Sequence, residues 1–180
     1  MTMNTANPMT TNAPNPVALN TGSPIVDMTK EEWNGYRSAL TADVTSIRIP
    51  TDVNAGMAIS ILSRIDNIYS FLRLQFSDLE ASKERIDLMV KEIERVGLEG
   101  RNEDDRKRNA VLEVRKVKTE NGLTLYDMQR ETTDRYMYIK GILDVLTNKQ
   151  NRLITINGLL KLDKDLMVSQ DSFSSFGRAS

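Results

Sequence analysis

Counting in alternating steps of three and four from Leu62 lands on Leu62, Ile65, Tyr69, Leu72, Phe76, Leu79, Lys83, Ile86, Val90 and Ile93. Nine of these ten are apolar, and the residues between them are mostly charged or polar. This is the a/d stripe of a heptad repeat, and it predicts a long helix with one narrow face to bury. The helix is expected from about Val53 to Val96, with Thr51 or Asp52 as its cap, Gly56 in its first turns and Gly97 and Gly100 closing it through the left-handed region. At ~1.5 Å per residue the stripe spans roughly 45–50 Å, so it must lie against another long helix, in this chain or in a second copy.

The same count from Met128 gives Met128, Thr132, Arg135, Ile139, Ile142, Leu146, Lys149, Leu153, Ile156, Leu160, Asp163 and Met167, of which eight of twelve are apolar. A second helix of matching length follows, weaker at its start, where Arg135 stands in the stripe beside Tyr136 and Tyr138. Gly141 and Gly158 fall inside it, where they predict close approach of a neighbouring helix. Two such helices joined by a broken segment make an antiparallel hairpin. Its seam is expected to run through Leu62, Ile65, Leu72, Phe76, Leu79, Lys83, Ile86 and Val90 on one side and Ile139, Ile142, Leu146, Leu153, Ile156 and Leu160 on the other. Lys83 either fixes register or lets its stem snorkel to the seam's edge. The fold class is all-α, and because one hairpin buries only a narrow face, a homo-oligomer is expected.

Shorter signals fill in the rest. Thr29-Lys30-Glu31-Glu32 has the form of a capping box, so a short helix follows to about Leu40, burying Trp33, Tyr36 and Leu40. Trp33 either pins that helix to the main body or is an exposed anchor or base-stacking platform. Pro50 ends the connector. Asn102 to Asp105 starts a third helix, expected to reach about Glu120 with Ala110, Val111, Val114 and Val117 as its inner stripe; Asn121-Gly122 marks a turn, and Thr124-Leu125-Tyr126-Asp127 is a second box. The organisation expected is therefore a flexible arm over 1–28, rich in Asn, Thr and Pro with no charge before Asp27, a helix and connector over 29–50, the hairpin over 51–168 and a flexible tail over 169–180.

Composition narrows the chemistry. There is no cysteine and no histidine among the 180 residues, which removes disulfides, thiolate nucleophiles, the usual zinc sites and the commonest general base near neutral pH. No Gly-rich phosphate loop and no nucleophile elbow is present, so no catalytic residue, no metal site and no cofactor is assigned. No run approaches the ~20 apolar residues of a membrane span. A soluble protein of the cytoplasm or of a virus particle is expected, with no membrane partner.

Net charge is −1, so a polyanion could be met only through a local patch. One exists: Arg106, Lys107, Arg108, Arg115, Lys116 and Lys118 stand against Glu113 alone, a net +5 over thirteen residues. These six are the candidate DNA-binding residues, since a ring of copies would multiply the patch and could follow a phosphate backbone without reading sequence. A solvated face balanced by Glu99, Glu103, Asp104 and Asp105 is the alternative.

Two long helices flank the polar turn Gly97-Leu98-Glu99-Gly100-Arg101-Asn102 and a basic helix start, and the segment Tyr136-Met137-Tyr138-Ile139-Lys140-Gly141-Ile142-Leu143-Asp144-Val145-Leu146 leads into the C-terminal helix. Over roughly residues 57–167 this order resembles the UvsY-type recombination mediators of tailed phages. The resemblance implies a small helical protein that forms closed rings, binds single-stranded DNA and helps a RecA-like recombinase displace a single-strand-binding protein. The DNA-contacting residues rest on the charge cluster, not on the resemblance. Two other readings stay open: a structural protein of a virion or similar assembly, using the hairpin as spacer and the tails as docking arms, and a coiled-coil adaptor that binds protein partners only.

Overall fold

The computed structural model describes residues 24–98, 100–119 and 122–176, with side chains described to Met167. The arm over 1–23, the acidic Glu99, the turn residue Asn121 and the last four residues of the tail lie outside this range. Four helices follow a 3₁₀ turn at Ile25–Asp27: α1 (Lys30–Ser46), α2 (Ala55–Val96), α3 (Glu103–Lys116) and α4 (Leu125–Phe176).

The hairpin expected from the two stripes is present. Ala58 near the start of α2 meets Leu153 far along α4, while Ile86 and Val90 near its end meet Leu125, so the two helices run antiparallel. Between these ends Ile65, Ile68, Leu72, Phe76 and Leu79 pack on Ile139, Leu143 and Leu146. Leu62, Ile142 and Ile156 are half-buried at the margins. Lys83 takes the snorkelling arrangement, and its bond to Asp87 stays within α2. Its stem lies at the seam's edge with Nζ 5.9 Å from the Tyr136 ring centre, and its ammonium donates to Asp87 Oδ2 at 2.7 Å. Asp87 in turn accepts from Gln129 Nε2 of α4 at 2.7 Å, which ties the register of α2 to that of α4. The Gln129 bond first, and the Lys83 bond second, hold the Asp87 carboxyl below its usual range.

The seam stops earlier than expected. Leu160 and Met167 are exposed, because α2 begins at Ala55 and offers nothing beyond Ile156 for them to meet. α4 nonetheless continues to Phe176 in place of the expected tail from Ser169. Some twenty residues, about 30 Å of helix, therefore project past the hairpin.

Other expectations need correcting too. The segment 24–28, assigned to a flexible arm, is part of the core: Ile25 and Met28 are buried against α2 and α4. α1 runs on to Ser46 because Val44 continues the inward stripe of Trp33, Tyr36 and Leu40. Its capping box is real, Glu32 N donating to Thr29 Oγ1 and Thr29 N donating to Glu32 Oε2. Trp33 is buried edge-on to Tyr138, so it pins α1 and is no stacking platform. Asn54, not Thr51 or Asp52, caps α2, its Oδ1 accepting from Met57 N at 2.8 Å.

α3 ends at Lys116, short of Glu120, because Lys118 bridges to Thr124 as the chain reverses through Gly122 at φ 76°. Val111 and Val117 are exposed, and of the expected inner stripe only Ala110 and Val114 face inward. Gly97 is not left-handed (φ −76°); its reason is space, since a Cβ there would stand 2.7 Å from Ala110 Cα. Gly141 and Gly158 have no neighbouring atom within 4 Å of where a Cβ would go, so no helix approaches closely at either.

Candidate nucleic-acid interface

Helix α3 lies across the end of the hairpin, held on α2 and α4 by Val114, which is fully buried among Ile86, Val90 and Leu125. Its N-terminus is set by Asn102, whose Oδ1 accepts from Asp105 N at 2.8 Å. Glu103, Asp104 and Asp105 occupy the first turn and Arg115 and Lys116 the last, the arrangement that a helix dipole favours. Charge is thus separated along the helix, with the acidic end against α2's exit and the basic end toward the Lys118–Thr124 bridge.

The six candidate cations do not share one environment. Lys107 donates to Glu103 at 2.6 Å, Lys116 pairs with Glu113, and Arg106 Nε donates to the carbonyl of Gly100 at 3.2 Å. Over 103–118 six cations face four carboxylates, so the local excess is +2, not +5. Exposed pairs of this kind contribute only ~0.3–0.5 kcal/mol and hold their lysines loosely. Arg108 and Arg115 lie on the face opposite Ala110 and Val114, with the exposed Leu112 between them. Neither they nor Lys118 has a carboxylate within ion-pair distance among the described residues. The structure therefore brings Arg108, Arg115 and Lys118 forward as available cations and leaves Arg106, Lys107 and Lys116 engaged.

Two features of this end anchor the helix. Tyr126 Oη of α4 donates to Glu94 Oε1 of α2 at 2.9 Å, and burial first, then that carboxylate, pushes the phenol up. Thr124 and Asp127 complete a capping box at the start of α4, with Asp127 N donating to Thr124 Oγ1 and Thr124 N to Asp127 Oδ2.

A second collection of cations has no counterpart in the sequence reading. Arg48, just past α1, comes beside Lys149 and Arg152 of α4, and Arg37 stands farther back on the exposed face of α1. Lys149 was visible only as a polar residue in the α4 stripe. Among the described residues no group of three or more acidic side chains is placed to hold a metal ion. No described helix is long and apolar enough to cross a membrane.

Compared with known protein families, with characterised proteins and with solved structures, the chain shows no match.

Proposed function

We propose that this protein is a non-catalytic, self-associating helical hairpin that holds single-stranded DNA by its phosphate backbone and acts as a recombination mediator. The observation that carries the DNA reading is the outward face of α3, where Arg108 and Arg115, with Lys118 beyond the helix end, stand without carboxylate partners among the described residues. Such contacts are individually weak, salt-labile and blind to sequence, which suits a protein that must give its strand up to another. Assisting a RecA-like recombinase, in a host cell's cytoplasm, is what the resemblance to the UvsY-type mediators adds.

A second reading has its own observation. The projecting part of α4 exposes Leu159, Leu160, Leu162, Leu166 and Met167, an apolar face with no partner within the chain among the described residues. A structural protein of a virion or assembly, joined to its neighbours through such faces, would look like this. Self-association serves both readings.

Fluorescence anisotropy of a labelled single-stranded oligonucleotide at two salt concentrations separates them. The mediator binds at low salt, loses affinity steeply as salt rises, and is weakened when Arg108, Arg115 and Lys118 are all changed to Ala. No binding at low salt sinks the DNA reading, and co-sedimentation with particles would then support the structural one.

A further inference from the structure

We infer that a second nucleic-acid contact lies toward the opposite end of the hairpin, along the exposed face of α1 and across its exit to α4, where Arg37, Arg48, Lys149 and Arg152 would grip the phosphates of a single strand. This rests on the nucleic-acid reading above and extends it to a site about 35 Å from α3, the length of α4 between Tyr126 and Lys149.

The channel consists of two adjoining shallow hollows that share Thr45 and Arg48, the first lined by α1 and its exit and the second by that exit and α4. Arg37 stands at one end, and Lys149 and Arg152 at the other. No carboxylate lines either hollow. Asp43, the acid nearest along α1, is committed to Arg64, which also donates to Ser46 Oγ. None of the four cations has an ion-pair partner among the described residues. Four cations without one opposing carboxylate lining the hollows present a stronger field than α3 does.

One element works against an anion here. α1 ends in the channel, and the carbonyl end of a helix is its negative pole. Lys149 offsets this: its Nζ donates to the carbonyl of Ile47, the C-cap residue, at 2.5 Å. An ammonium has three donors, so two remain for a ligand. Burial first, and Arg152 second, hold the Lys149 ammonium below its usual range, a cost that a bound phosphate would relieve. Arg37 is held in place over the Tyr138 ring at 4.8 Å, with its fork available. Ser38, Thr45 and Asn148 supply polar groups between the cations. The channel follows α1 for about 13 Å and then crosses to α4, a path that one extended strand can take with its bases turned outward.

The test uses the full chain and a labelled single-stranded oligonucleotide, titrated over a range of salt concentrations. Arg48→Ala with Arg152→Ala is compared with wild type and with the α3 triple variant; circular dichroism verifies that each is folded, which the exposure of both arginines favours. The channel variant is expected to bind at least tenfold more weakly at low salt and to lower the slope of log affinity against log salt by about 1.4, about 0.7 for each lost single-strand contact. Arg48→Lys with Arg152→Lys should recover most of that slope. Wild-type affinity and slope in the channel variant, with loss confined to the α3 variant, would overturn this inference and leave the DNA reading standing. Absence of wild-type binding would overturn both.

Discussion

Arg135 Nη1 donates to the carbonyl of Ile25 at 2.8 Å, joining residues 110 positions apart. The same guanidinium reaches the carbonyls of Val26 at 3.2 Å and Met28 at 2.8 Å, and lies 5.6 Å from the Trp33 ring centre. A 3₁₀ turn has too few internal bonds to satisfy its carbonyls, and this one is pressed into a core that water does not reach. One planar cation with five donors satisfies all three.

Arg135→Met should therefore keep most of the packing and leave three carbonyls unpaired. A loss of about 3 kcal/mol is expected, within the range for breaking a buried charged network. Urea unfolding measures the total. Limited proteolysis around residues 24–29 measures the local part, and an unchanged cleavage rate there would refute the claim that Arg135 holds the turn.

Tyr36 is buried with its hydroxyl unbonded among the described residues. Burial chiefly, and the Tyr138 phenol next, push its ionisation well above the usual 10. The sign follows directly. The folded state keeps the proton that the unfolded chain gives up, so this contribution to stability is intact below about pH 10 and declines as pH rises beyond it. Tyr36→Phe removes both the unmet hydroxyl and the titration. The variant should be at least as stable as wild type at pH 7, by up to ~1 kcal/mol, with a larger advantage at pH 11. Thermal unfolding at the two pH values decides it; a variant less stable at pH 7 would mean the hydroxyl has a partner.

Gly97 and Gly141 make a matched pair. Replacing Gly97 by Ala drives a methyl against the backbone of Ala110, so α3 must shift or detach, at a cost of about 1–3 kcal/mol. Replacing Gly141 by Ala meets open space in mid-helix and should stabilise by ~0.8–1 kcal/mol. Opposite signs in denaturant midpoints are expected. Equal signs would show that the packing of α3 on α2 is looser than these distances imply.

These pairs also mark what a sequence can and cannot disclose. The α2 stripe from Ile65 to Val90 repeats every three and four residues, so its burial was legible, and the Thr29 capping box was legible because its partners are three residues apart. Arg135 read as a flaw in the stripe because its partners are backbone carbonyls, which leave no mark in the residue types around Ile25. The two glycines look alike in sequence and differ only in what stands beside them. Arg48 and Arg152 line one hollow across more than a hundred residues, and no local charge count joins them. The α3 cluster was legible as a charge count and as its balance by the acids just before it, but which cations those acids engage, Lys107 by Glu103, is set by the helix geometry.

The projecting end of α4 carries the last prediction. Ile156, Leu160 and Met167 continue the face that packs on α2 up to Leu153, while Leu159, Leu162 and Leu166 form an adjoining apolar strip turned by roughly 100° from it. Lys161, Lys164 and Asp165 lie on the other side. A helix of this length without tertiary support is marginal in water, and an exposed apolar face of this size marks an interface. A second copy, laid antiparallel on this apolar arc, would cover it with the same residues of the other chain. Sedimentation should therefore show a species larger than the monomer, and helicity should rise with protein concentration. Leu159→Glu with Leu166→Glu should yield a monomer of lower helicity whose α2–α4 core melts as a monomer should, without dependence on concentration. A wild-type protein that stays monomeric at its highest soluble concentration would exclude self-association through this face.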